Sequence, residues 1–585
     1  MSAQTRFGPL VSDRGVTFRL WAPAASEVSV VLDTPIAMSK RDGWFKAHVK
    51  DAGPGTRYRF KIDGEIEIPD PASHFQPDDV HGPSEVIDHR FAWQCQDWKG
   101  LPWAQAVFLE VHVGTFTSGG TFRAIVERLD HIAETGITAL ELMPLSDFPG
   151  RWNWGYDGVL PFALDSSYGR PQDLKALIDA AHSRGLMVFL DVVYNHFGPE
   201  GNYLDRIAPA FFSSAQTPWG GAIDYRVPEV RAYAIENALH WLRDYRFDGL
   251  RLDAVHTIVT PGEPSILTDL STAVGALAAE SGRHIHLVLE NDDNRSSLLA
   301  PAQDPPAGRY RAQWNDDYHH AWHVFLTAES AGYYRDYGNA AHHIARTLSQ
   351  GFAYQGEPSP HRKGQTRGEP SQHLPRASFV NFLQNHDQIG NRPKGERLSV
   401  LASPTALEAA LAILLLQPSP PLLFMGEEWG ATEPFPFFCD LSGERAEAVR
   451  KGRKAEFADA YAKHGSDIPD PLAAETRAAA VLDWEARGKP AHAARLALTR
   501  TLLAARRRWI VPLLPAMTSE GSVSFDNGVL SARWHAGEKS LLLLANLSDA
   551  ANPRLQTLAW GDPIWGTSPP RKLPPWSVYA AIGGS

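Results

Sequence analysis

The sequence predicts an α/β protein built on a central (β/α)8 TIM-type barrel, with a β-sandwich domain on either side. Three observations predict it. At 585 residues the chain exceeds one ordinary domain. Seven short apolar runs alternate with helical stretches through its middle. Before and after that region the pattern changes to short strands of alternating polarity.

The first domain is assigned to residues 1–97. Phe18 and Leu20, then Val28, Val30 and Leu32, alternate with more polar neighbours. Tyr58, Phe60 and Ile62 do the same before the turn at Asp63-Gly64, and Pro69-Asp70-Pro71 leads into a connector through Trp98. The barrel is assigned to residues 98–510. Its apolar runs are 106–111, 137–143, 186–193, 249–255, 286–290, 379–383 and 422–425. Strands apolar on both faces, with helices between them, form parallel sheets, and their number and span favour closure into a barrel. The clearest helix is expected to open at Val227-Pro228-Glu229, because proline and an acid suit a first helical turn. It aligns Val230, Ala234, Ala238, Trp241, Leu242 and Tyr245 on one face. Residues 356–376, polar and rich in proline and glycine, are expected to form a long surface loop near the active face. Residues 511–585 return to strands at 523–525, 529–534, 541–547 and 577–581, a terminal β-sandwich.

Composition excludes several function classes. A formal net charge of −11 argues against a nucleic-acid partner. The two cysteines, Cys95 and Cys439, offer neither a disulfide framework nor zinc-ligand spacing. No leader-like segment and no apolar stretch long enough for a membrane span is seen, so a cytoplasmic location is expected. The 18 Trp, 26 Phe and 16 Tyr suit either a large core or stacking against the apolar faces of sugar rings.

In a parallel barrel the chemistry sits where strands end. Four runs there deliver acids and histidines: Asp191-Val-Val-Tyr-Asn-His196, Arg251-Leu-Asp253-Ala-Val-His256, Glu290-Asn291-Asp292 and Gln384-Asn385-His386-Asp387-Gln388. Arg251 and Asp253, two apart on a strand, share a face, and the guanidinium keeps the carboxylate ionised as a nucleophile requires. Glu290 ends an apolar run, where burial favours the protonated form that a general acid needs. Two carboxyls tuned in opposite directions are the signature of glycosidic cleavage, retaining if they lie about 5–5.5 Å apart. Asp387 supplies a third carboxylate to hold hydroxyls and stabilise an oxocarbenium ion. Each acid alone also reads as a strand-end ion pair.

The four segments resemble the signature regions of the α-amylase superfamily, glycoside hydrolase family 13. The resemblance implies Asp253 as nucleophile, Glu290 as acid/base and Asp387 as transition-state stabiliser. It further implies that His196, Arg251 and His386 contact the first glucose, and that Tyr156, within Trp154-Gly-Tyr-Asp-Gly158, is a stacking platform. His256 joins them as a substrate-binding candidate. Glu110-Val-His-Val-Gly-Thr-Phe116, Trp314-Asn-Asp-Asp-Tyr-His-His320, Leu383 to Arg392 and Phe424-Met-Gly-Glu-Glu-Trp429 are similar to the maltooligosyltrehalose trehalohydrolase subfamily. That similarity covers nearly the whole chain, including a first domain like a carbohydrate-binding module. It implies maltooligosyltrehalose as substrate and release of trehalose.

For the bent trehalose end, Asp316, Asp317, His319, His320 and Trp429, with Phe437 and Phe438, are candidate contacts, although each also reads as a loop cap or barrel packing. No cofactor is expected. The acids around Asp316 suit calcium by type, but no glycine-punctuated ligand loop accompanies them, and no metal is expected. The alternatives are a glycogen-branching or α-1,6-debranching enzyme of the same superfamily, and a barrel that binds glucan without catalysis. The first domain is expected to buttress the barrel rather than to bind glucan, and oligomeric state is not legible.

Overall fold

In a computed structural model the structure describes residues 5–217, 219–258, 265–301, 305–458, 467–553 and 560–584. Alternation builds the first domain as predicted. Leu10–Ser12, Gly15–Trp21, Trp44–Val49 and Ser39–Arg41 form one antiparallel sheet, and Pro35–Ala37, Val28–Val31, Arg57–Ile62 and Ile66–Ile68 form another. Val28, Val30, Tyr58, Phe60 and Ile62 are buried while the residues between them are more exposed, the period of two that a half-buried strand requires. The domain is tied to the barrel by polar contacts. Tyr233 Oη donates to the Pro71 carbonyl at 2.5 Å, and Arg6 pairs with Glu236 at 3.2 Å.

The barrel is closed and wholly parallel. Its strands are β1 (Phe108–Val111), β2 (Ala139–Leu142), β3 (Met187–Val192), β4 (Gly249–Leu252), β5 (His286–Leu289), β6 (Ala312–Trp314), β7 (Phe379–Phe382) and β8 (Pro421–Phe424). Pairing of Phe108 with Leu422 shuts the ring. Phe108, Met187, Phe189, Val288, Val380, Phe382 and Leu422 join one buried cluster, so the ring is packed and not a pore.

Seven of the eight strands coincide with predicted apolar runs. The eighth, β6, has only three residues and carries Gln313, so it lacks the apolar run by which the others are read. Helix α1 (Pro228–Asp244) starts where expected, with Pro228 in its first turn and Val230, Ala234, Ala238, Trp241 and Leu242 buried on one face. Helices α2 (Asp316–Thr327) and α3 (Pro404–Leu416) complete the elements needed below.

Residues 356–376 are less loop-like than expected. They contain a small hairpin, Glu357–Pro358 with Thr366–Arg367, pinned to the barrel mouth by buried Arg367. The last domain is an antiparallel sheet ordered Met517–Asp526, Val529–Ala536, Lys539–Asn546, Ser577–Gly584 and Asp562–Trp565, with a two-stranded ribbon beside it. Leu541 to Ala545 are all buried, because α3 packs on this sheet and both faces of the central strand are covered. Among the described residues no helix is long and apolar enough to cross a membrane.

Candidate active site

The strand ends meet as the sequence predicts. Arg251, the third residue of β4, is fully buried beneath the mouth. Its Nη1 donates to Asp191 Oδ2 at 2.7 Å and to Asp253 Oδ1 at 2.8 Å, and its Nη2 stands 3.8 Å from Glu290 Oε2. The guanidinium lies over the Trp314 ring, 4.2 Å from the centroid, which fixes its plane. Asp253 and Glu290 therefore flank one cation from the ends of adjacent strands β4 and β5.

The link between those strands is tightened by backbone geometry. Ala254 adopts a φ of 41°, uncommon for a residue with a side chain, and its N–H donates to Glu290 Oε2 at 2.6 Å. Such strain concentrates at functional sites. Burial pushes the Glu290 carboxyl well above its usual range; Arg251 opposes this, while the negative charge of Asp253 adds to it. Burial also raises Asp316, next to the pocket, to about 7, helped by Asp292 and Asp387.

Asp387 lies in the short helix His386–Gly390, whose amino end is capped by Asn385 Oδ1 accepting from Asp387 N at 3.0 Å. Its side chain remains 42% exposed, so it faces the open pocket. His386 behind it is fixed by Glu110 of β1. One Glu110 oxygen meets the imidazole Nδ1, and the other accepts the His386 backbone N–H at 3.0 Å. Burial works against a charged imidazole here, but Glu110 and Asp387 outweigh it and raise His386 to about 9.

The predicted aromatic platform has a definite support. Gly155, at φ 109°, turns so closely under Pro144 that an added Cβ would lie 2.3 Å from the Pro144 carbonyl. Trp154 is buried against Phe435 and against Gly390, where a Cβ would sit 1.9 Å from the indole. Tyr156 then projects beside the site, stacked on His386 with centroids 5.1 Å apart, and its hydroxyl donates to Asp191 Oδ2 at 2.7 Å. His196 donates through Nε2 to the Tyr156 carbonyl at 2.9 Å. His256 sits one layer outward, its Nδ1 accepting the Asp292 N–H at 3.2 Å.

The outer candidates divide by helical phase. Asp316 and His320, four apart at the start of α2, share a face and line the pocket with Glu290, Asp387 and Gln388. Asp317 and His319 point elsewhere and are corrected to structural roles. Asp317 is fully buried, takes the backbone N–H groups of Ala353 and Tyr354 at 2.6 and 3.0 Å, and pairs with Arg367 at 2.9 Å. His319 is held between the Leu383 carbonyl and the Tyr334 hydroxyl. Trp429 is also corrected. It is fully buried, packed 4.9 Å from Trp484 and 5.5 Å from His131, so it belongs to the core beneath β8 and not to the mouth.

Three residues at the mouth were not singled out from sequence, Arg362, Arg367 and Trp219, and they meet Asp292 and His196 there. Arg362 and Arg367, from the 357–367 hairpin, bind the two oxygens of Asp292 at 2.6 and 2.9 Å. Although burial opposes ionisation, these two cations hold the Asp292 carboxyl well below the usual range. Trp219 is 47% exposed and stacks on His196 with centroids 4.2 Å apart. Arg362 and Arg367 are brought in by the hairpin, from its turn and its second strand, and Trp219 by the turn of another hairpin, Phe212–Thr217 with Gly220–Ile223.

The pocket between Glu290, Asp316, Tyr333, Arg362 and Asp387 has a volume of about 190 Å³. This is below the roughly 300–1,000 Å³ of a site that encloses a drug-sized ligand.

Comparison with known proteins agrees with this geometry. Residues 85–218 match the family model of the alpha amylase catalytic domain, residues 6–74 that of carbohydrate-binding module 48 (isoamylase N-terminal domain), and residues 518–579 a domain of unknown function, DUF3459. A malto-oligosyltrehalose trehalohydrolase of Deinococcus radiodurans is 44% identical over 93% of this chain and 90% of its own length. One from Saccharolobus solfataricus is 39% identical over 77% of this chain and 80% of its own length. The crystal structure of a putative alpha amylase from Salmonella typhimurium superposes with a TM-score of 0.94 at 43% identity, covering 99% of this chain and 100% of that one. The chain belongs to the malto-oligosyltrehalose trehalohydrolase family of the α-amylase superfamily.

Proposed function

We propose that the protein hydrolyses the α-1,4-glucosidic bond next to the terminal trehalose unit of maltooligosyltrehalose, releasing trehalose and a maltooligosaccharide with retained anomeric configuration. The observation that carries this reading is the pairing of Asp253 and Glu290 about Arg251, one bonded to the guanidinium and the other pushed by burial toward its protonated form.

In this mechanism Asp253 attacks the anomeric carbon while Glu290 gives its proton to the departing glycosidic oxygen, leaving a glycosyl ester on Asp253 and free trehalose. Glu290, now ionised, takes a proton from water, which attacks the same carbon and frees Asp253. Asp387 stabilises the positive charge of both transition states. Tyr156 and His196 form the wall on the Asp253 side and hold the glucose that is attacked, while Arg251 and His386, buried behind them, fix Asp253 and Tyr156 in place. Because the acid must stand on the leaving-group side, the pocket beside Glu290 is the berth for trehalose, with Asp316, Gln388 and Arg362 as polar partners.

The shared name of the relatives supports trehalose release over branching or debranching. Chromatography of products from maltotriosyltrehalose, beside maltopentaose, tests it. Trehalose plus maltotriose, with much slower attack on maltopentaose, is expected; glucose and maltose from both would overturn the trehalose assignment.

A further inference from the structure

A second cluster of chemistry-bearing side chains lies on the outside of the barrel, where the first domain meets α1. His74 and His89 come from the amino-terminal domain and its connector, and His240 from α1. One ring nitrogen from each lies within 4.8 Å of the others. His74 Nδ1 and His89 Nε2 share a hydrogen bond of 3.0 Å, whose proton a bound ion would displace, and this is close to the separation of about 3.3 Å that two nitrogens take on a tetrahedral zinc ion.

His240 supplies the second, independent observation. It is only 5% exposed, and its Nε2 is buried without a hydrogen-bond partner. Its Nδ1 meets Asp244 Oδ2 at 2.8 Å. A carboxylate on one nitrogen fixes the proton there and leaves the other lone pair free, the arrangement found behind metal-bound histidines. A buried nitrogen with no partner otherwise destabilises the fold. Burial lowers His74 to about 3, and lowers His89 well below its usual value, so both are neutral ligands at physiological pH.

We propose that His74, His89 and His240 form a binding site for a late first-row divalent cation of the zinc type, which staples the first domain to the barrel. Three imidazoles suit such ions by donor type. Two cations oppose a metal ion here, and both are engaged: Arg19, which acts on His74, donates to the Phe7 and Gly8 carbonyls at 3.0 and 2.9 Å. Lys175 Nζ, 3.5 Å from His89 Nδ1, holds the His89 carbonyl at 2.6 Å. With His89 Nε2 on the ion, its Nδ1 carries the ring proton and Lys175 keeps the carbonyl alone. The site is remote from the glycosidic chemistry and does not depend on it.

The test uses the full-length protein, stripped with a chelator, dialysed and titrated with Co2+. Stoichiometric one-to-one uptake is expected, with the visible d–d bands of a nitrogen-ligated tetrahedral ion, displaced by Zn2+. His89→Ala, which removes a half-buried ring, should lose the bands while keeping the far-ultraviolet dichroism of the fold. Asp244→Asn, which retains all three ligands, should weaken Co2+ binding roughly 10–100-fold. Zn2+ should raise the Tm of the wild type and not that of His89→Ala. Failure of the stripped wild type to take up Co2+ stoichiometrically would overturn the proposal. So would bands that persist unchanged in both His74→Ala and His89→Ala.

Discussion

Arg251 donates to Asp253 at 2.8 Å from a guanidinium that is itself wholly buried and stacked on Trp314. A buried cation bonded to Asp253 and Asp191 and standing 3.8 Å from Glu290 gives Asp253 and Glu290 different environments within one site. Asp253 is thereby oriented by its partner, and Glu290 is governed mainly by burial.

Replacing the attacking oxygen while keeping the shape tests that orientation. Asp253→Asn should reduce kcat by roughly 10³-fold or more and leave the thermal transition within a few degrees of wild type. Steady-state kinetics and calorimetry on the same preparation check it. Turnover near wild type would remove Asp253 from the nucleophile's role.

Glu290→Gln removes the proton donor. It should lower kcat on maltooligosyltrehalose by about 10²–10⁴-fold, and on a glycoside with an activated leaving group far less, because such a group departs without protonation. In the wild type the alkaline limb of the rate profile follows the raised Glu290 group, so activity falls as pH rises through it. That limb should flatten in the variant, and equal losses on both substrates would contradict the assignment.

The Glu110–His386 pair makes stability depend on pH. His386 titrates at about 9 in the folded protein against an ordinary value of 6.5, so the unfolded chain loses its proton first. The stabilisation is complete below about pH 6.5 and is lost as pH rises toward 9. Glu110→Gln should remove this dependence and lower stability most on the acid side of the window. Urea melts at several pH values measure it, and parallel curves for the two proteins would contradict it.

Trp429→Ala should act on the fold and not on the substrate. Removing an indole packed between Trp484 and His131 leaves a cavity and costs about 3–5 kcal/mol. Denaturant unfolding should register this loss while the KM of the folded fraction stays unchanged.

The contrast between Trp429 and Tyr156 shows what the sequence discloses. Both are aromatic, and both stand in segments whose resemblance to known relatives sends them to the mouth. Tyr156 gets there because Gly155 turns the chain under Pro144. Trp429 does not, because Gly426, at φ 86°, starts a short helix that drives the indole toward Trp484, far along the chain. That packing partner is a tertiary fact with no local signal. Asp317 and His319 failed for a local reason that sequence does carry. With Asn315 read as the start of α2, only residues 316 and 320 face the pocket. The four strand-end motifs were legible because a barrel gives each strand end the same destination, whatever the loops do. Arg362 and Arg367 were not, since a hairpin 70 and 75 residues beyond Asp292 brings them to it.

The most direct test is proton NMR of the wild-type protein acting on maltotriosyltrehalose, followed from the first minutes of reaction. It reports the bond cleaved and the stereochemistry together. Trehalose and the α-anomer of maltotriose should appear in step, with the β-anomer growing only later by mutarotation. Appearance of the β-anomer first would contradict the Asp253–Glu290 retaining pair, and maltotriose or glucose formed without trehalose would contradict the assigned bond.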